Sequence, residues 1–182
     1  MSKLYPIKTR IFFFLVTFIT LIGLDQWTKL LAVEHLKGQM PKYYFFGTFQ
    51  LTYAENTGAW GNFGGNWEEP FKSLFLIALP IVVLLGFGIF ALISQKITKI
   101  EYWAYTLISA GGMGNLIDRI RLKYVIDFMY AGIRKPFETN IFNIADVVIM
   151  IGAGMMMLHI FLDWKRGKIE QGETTPTPPS SH

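Results

Sequence analysis

The sequence predicts an all-α membrane protein: four transmembrane helices with a small extracytoplasmic β cradle. Three observations carry that expectation. Hydrophobic residues make up 52% of the 182 residues and charged residues only 16%. A soluble chain carries about 25% charged residues, so too few remain here to cover a globule. Four apolar stretches follow one another along the chain, and a long segment rich in aromatic and β-branched residues separates the first two.

The first expected span is residues 11–33. Residues 11–24 (IFFFLVTFITLIGL) are uncharged, and apolar residues resume at 30–33, beyond Asp25 and Lys29. Lys3, Lys8 and Arg10 would suit a signal peptide, but no small-x-small cleavage site follows, so the stretch reads as an uncleaved span. Residues 37–70 form an outer loop, in which 43–53 (YYFFGTFQLTY) reads as one or two strands broken by Gly47. Residues 71–93 are long enough to cross ~30 Å of hydrocarbon. The third span, 102–117, is uncharged and short. The fourth, 144–162, is apolar except for Asp146 and His159. A second outer connection, 119–140, holds a short apolar run around Asp127. One domain is expected over 1–169, and the Pro/Ser/Thr-rich segment 170–182 is expected to be disordered.

Four spans put both termini on one side. If that side is cytoplasmic, Lys3, Lys8, Arg10, Lys96, Lys99, Lys165, Arg166 and Lys168 lie inside, eight of the 17 Lys and Arg. The count does not decide the orientation. The basic turn at 94–101 and the flank at 165–168 lean towards cytoplasmic termini.

Composition and motifs exclude several chemistries. With no cysteine there is no disulfide, thiolate metal site or Cys nucleophile. His35, His159 and His182 are scattered, and no H-E-x-x-H, G-x-S-x-G, P-loop or Rossmann pattern occurs. No metal or cofactor is expected. The formal charge of +4 comes without a basic stripe, so no nucleic-acid partner is expected. His159 reads as a packed or interfacial residue.

Carboxylates at membrane depth are costly and point to function. Up-down threading brings Asp25, Asp118, Asp127 and Asp146 to one face. Each also has a structural reading. Asp146 could cap a helix with Asn143. Asp118 could pair with the adjacent Arg119, and Asp25 with Lys29 at i,i+4. Asp127, in the apolar run 125–128, has no such partner in the sequence. The glycines in 110–115 permit close helix packing or shape a substrate groove. Residues 56–59 (NTGA) read as a turn, or as a loop offering amides to a substrate. Carboxylates gathered near an interface match hydrolysis by a pair sharing one proton. A proton- or ion-coupled transporter is the alternative. Against it, the carboxylates do not continue across the bilayer and no inverted repeat is visible. A structural assembly factor would explain the glycines but not Asp127.

The motifs resemble those of the lipoprotein signal peptidase (signal peptidase II) family. Residues 24–29 (LDQWTK) are similar to its D-Q-x-T-K box, 56–60 (NTGAW) to N-x-G-A, and 111–119 (GGMGNLIDR) to G-N-x-x-D-R. Residues 125–128 (VIDF) resemble V-V-D-F and 142–146 (FNIAD) resemble F-N-x-A-D. Asn140 stands where the family often has proline. The resemblance implies an inner-membrane aspartic endopeptidase, multi-pass, with cytoplasmic termini and an active site towards the extracytoplasmic face. It implies cleavage of prolipoproteins before a diacylglyceryl-modified cysteine; membrane lipid as a partner and a monomeric state are further expectations. Position by position, Asp127 and Asp146 match the catalytic aspartates. Asn56, Gly58, Asn115, Arg119, Asn143 and Ala145 match residues lining the site, and Asp25, Lys29 and Asp118 match supporting ones.

Overall fold

The computed structural model describes residues 5–134 and 137–172. Four long helices and a four-stranded sheet make up the described chain. Helix α1, Ile7–Leu36, is longer than the expected span. Helix α2 runs over Phe71–Ile93 and contains a π turn at Leu74–Ala78. Pro80 explains that turn: lacking an N–H, it cannot complete the regular ladder, and the Leu79 N–H bonds Leu74 instead. Helix α3 is Lys99–Leu122. It opens with a reciprocal capping box between Thr98 and Glu101 and ends at Lys123 in the left-handed conformation. Helix α4, Ile144–Gly172, continues past the expected span. Residues 170–172, expected to be disordered, therefore belong to it, and 173–182 lie outside the described residues.

Three helical segments are long and apolar enough to cross a membrane: Ile7–Leu36, Phe71–Ile93 and Ile144–Gly167. The expected third span, 102–117, lies within α3, which is not one of them. Thr106, Ser109, Asn115 and Asp118 lower its hydropathy, yet all four are buried. Helix α3 packs against α1, α2 and α4 at once, so its polar groups face protein.

Three glycines make this central packing possible, one for each neighbour. A side chain at Gly111 would strike the Ala145 carbonyl of α4 at 2.5 Å, one at Gly112 would strike Leu84 of α2, and one at Gly114 would meet Asp25 of α1 at 2.6 Å. At about 100° per residue these positions point three ways around α3.

At the end of the bundle away from the sheet, Arg10 of α1 is buried. Its guanidinium donates to the Ala91 carbonyl in the last turn of α2 and lies 5.9 Å from the Tyr102 ring centre. The Tyr102 hydroxyl donates to the Arg10 carbonyl at 2.7 Å. His159 sits 3.4 Å from Glu101 and 3.3 Å from Asp163.

The sheet is antiparallel, in the order β1 (Lys42–Tyr44), β2 (Phe49–Asn56), β3 (Val125–Arg134), β4 (Phe137–Glu138). Phe45–Gly47 turns the first hairpin, matching the break expected at Gly47. Strand β3 lies within the second expected connection, 119–140. Its alternation separates two jobs: Ile126 and Phe128 pack on Ala32 and Leu36 of α1, while Asp127 points the other way.

Candidate active site

Strand pairing delivers the first half of the site. Asp127 stands opposite Ala54, and Asn56 lies two residues further along β2. Diagonal neighbours on one face are within reach. The Asn56 side-chain amide accordingly donates to Asp127 at 3.0 Å. The Asn56 side-chain oxygen accepts the Gly58 N–H at 3.0 Å, which shapes the turn leaving β2. Gly58 then accepts a hydrogen bond from the Arg119 guanidinium at 2.9 Å.

The start of α4 delivers the second half. The Asp146 N–H donates to the Asn143 side chain at 3.0 Å, and the Asn143 N–H donates back to Asp146 at 3.1 Å. This is the cap the sequence suggested, and it does more than start a helix. The fully buried Asn143 amide also donates to Asp127 at 2.7 Å and to Asn115 at 3.0 Å. Asn115 donates to the other Asp146 oxygen at 2.7 Å. Asn143 thus touches both Asp127 and Asp146.

Beneath these lies an ionic layer. Lys29 is 2% exposed, and its three N–H bonds are all used: Asp25 at 2.8 Å, Asp118 at 2.8 Å and the Asn115 side-chain oxygen at 3.0 Å. Asp25 also accepts the Ala145 N–H at 3.0 Å, so a carboxylate of α1 caps α4. Asp118 also accepts from the Ile126 N–H at 3.3 Å.

An unbroken run of contacts therefore joins every residue singled out from the sequence, with Gly58 and Ala145 taking part through their backbones. One expected pairing is corrected. Asp118 pairs with Lys29, not Arg119. Adjacent helix residues point about 100° apart, so Asp118 faces α1 while Arg119 faces the loop after β2. The sequence reading also missed Gln26, which donates to Asp118 at 2.9 Å and to the Gly114 carbonyl at 3.2 Å. An amide beside a buried acid was the available signal.

The four carboxylates fall into two classes. Asp25 and Asp118 contact a cation. Among the described residues, Asp127 and Asp146 accept hydrogen bonds only from amides. Burial pushes the Asp127 carboxyl up to about 6; the negative charge of Asp146 adds to this, and the Asn56 and Asn143 amides oppose it. Asp127 is 2% exposed, whereas Asp146 is half-buried. Thr57 and Arg119, with Ser73, Leu76 and Ile77 of α2, line a cleft of about 210 Å³. Among the described residues, no group of three or more His, Asp or Glu is arranged to hold a metal ion.

Comparison with known proteins completes the description. The profile of the family described as signal peptidase (SPase) II matches residues 17–162. The lipoprotein signal peptidase of Borrelia hermsii is 34% identical over 158 residues, covering 84% of this chain and 89% of that protein. The lipoprotein signal peptidase of Enterococcus faecalis is 32% identical over 163 residues, covering 88% and 94%. That of Chlorobium phaeovibrioides is 36% identical over 157 residues, covering 82% and 89%. A bacterial membrane enzyme solved at 2.3 Å resolution has a similar fold, with a TM-score of 0.72 over 99% of both chains at 24% identity.

Proposed function

The chain belongs to the signal peptidase II family, and from that membership we propose that Asp127 and Asp146 are its catalytic dyad. The protein is an aspartic peptidase of the bacterial inner membrane that removes the signal peptide from prolipoproteins. The bond cut is the one before the diacylglyceryl-modified cysteine. One observation carries the assignment of the dyad: of the four clustered carboxylates, only these two are held by amides alone.

Asp127, the more deeply buried of the two, holds the shared proton. Asp146, the more accessible of the two, is ionised and draws a proton from water, which attacks the scissile carbonyl. The Asp127 proton hydrogen-bonds the developing oxyanion, and the departing amine is then protonated from the dyad. Asn115 and Asn143 keep both carboxyl groups in register through the exchange. Lys29 fixes the layer below.

In this reading α3 is the fourth span, sheltered by the other three. Both termini are cytoplasmic, the sheet and dyad face outwards, and one domain of one chain suffices because all site groups come from it. The dyad is tested by single-turnover cleavage of a diacylglyceryl-modified precursor peptide, with binding measured separately. Asp127→Asn and Asp146→Asn should each slow cleavage by about 10³-fold or more while leaving binding intact. Near-normal cleavage by a folded Asp127→Asn protein would overturn the assignment. Orientation is tested with single cysteines, since the chain has none. A cysteine at Asn66 should react with an impermeant reagent in intact cells, and one at Ser180 should not.

A further inference from the structure

A second cleft, of about 530 Å³, lies at the sheet-side end of α2 and is lined by Asn66, Trp67, Glu68, Phe71 and Phe75. Its aromatic wall is built rather than incidental. Trp67 meets Phe63 at 5.2 Å and Phe75 at 5.4 Å between ring centres, both edge-on. Gly64 has φ +74°, and a side chain there would lie 2.9 Å from the Trp67 ring, so only glycine lets the loop close on the indole. Lys72 donates to the Gly65 carbonyl at 2.7 Å and ties the loop to α2. That bond leaves Glu68 as the charge of the cleft. Its exposed carboxylate makes no hydrogen bond or ion pair among the described residues.

Aromatic faces attract cations, Trp most strongly, and an unpaired carboxylate beside them supplies the formal charge. An anionic group seated in the cleft itself would be repelled by both. The cleft sits at one end of a 23-residue apolar helix, which is headgroup level whichever leaflet it faces. We propose that this cleft binds the ammonium group of a zwitterionic phospholipid headgroup, with Trp67, Phe71 and Phe75 as its aromatic walls and Glu68 as counter-ion. The site is separate from the dyad and requires only that α2 cross the bilayer. A lipid seated there would stand beside α2 on the flank of the 210 Å³ cleft, whose lining includes the neighbouring residues Glu69 and Lys72.

Native mass spectrometry of the full-length protein, delipidated and titrated separately with phosphatidylethanolamine, phosphatidylcholine and phosphatidylglycerol, tests the proposal. Both ammonium lipids should be retained about five-fold or more above the glycerol lipid. Glu68→Gln should reduce that preference to parity, and Trp67→Leu should do the same while Trp67→Phe keeps part of it. Cleavage of a detergent-solubilised precursor by Glu68→Gln should be unchanged, which shows that the protein is folded and the dyad intact. Equal retention of all three lipids, an unaltered preference in Glu68→Gln, or loss of cleavage in that variant would each overturn the proposal.

Discussion

Lys29 and Arg10 are both buried cations on α1, roughly 28 Å apart along the helix, and the protein treats them in opposite ways. Lys29 meets two carboxylates and a side-chain amide oxygen, one for each N–H. Arg10 meets a single carbonyl at the end of α2 and an aromatic ring, and its Nε has no partner. The first arrangement ties α1 to α3 in a fixed charge pattern. The second uses the negative end of a helix dipole and a π face to hold two helix ends together. Rigid charge pairing is therefore spent where carboxyl groups must be placed to within fractions of an ångström. At the other end a looser clamp is enough.

Removing the ammonium should have the largest effect. Lys29→Met leaves Asp25 and Asp118 buried without a cation, at a cost of about 3–5 kcal/mol. Folded protein should be scarce, as read by yield and thermal unfolding in detergent. Adding Asp25→Asn and Asp118→Asn to that variant should restore much of the loss. If Lys29→Met alone is as stable as the parent, the ionic layer does not carry the fold.

Asp118→Asn should come next, costing about 2–3 kcal/mol yet leaving measurable turnover, because the dyad keeps its amide partners. A folded but inactive Asp118→Asn protein would break the distinction between cation-held and amide-held carboxylates.

A pH series sharpens the same distinction. Asp127 has a folded pKa of about 6, above its ordinary value of 3.8. Stability from its protonated form is therefore full below pH 4 and is lost as pH rises through 6. Asp127→Asn removes that loss. Relative to the parent, the variant should gain about 1–3 kcal/mol between pH 4 and pH 8. A gap that stays constant with pH would contradict a buried, proton-holding Asp127. Arg10→Met should be the mildest change, about 1 kcal/mol, with single-turnover cleavage unchanged.

The sequence made these contrasts partly legible. The Asp25–Lys29 pair follows from i,i+4 spacing, and the Asn143–Asp146 cap from its box. The Lys29–Asp118 bridge was hidden because it joins residues 89 positions apart, and the adjacent Arg119 offered a false partner. Strand β3 was obscured because an apolar run interrupted by one acid fits a connection as well as a strand. Only pairing with β2 shows that the acid and its apolar neighbours occupy opposite faces. Helix α3 looked like a short span because hydropathy scores a residue as if it faced lipid, whereas Asn115 and Asp118 face protein.

The carboxylate of Asp25 also has a consequence in time. It waits on α1 for the N–H of Ala145, which is made 120 residues later. Asp146 arrives on that same helix, with Asn143 just before it. A nascent chain that has reached β3 holds Asp127 but neither Asp146 nor the Asn143 amide that touches both. On the proposed dyad, cleavage should begin only once α4 has docked.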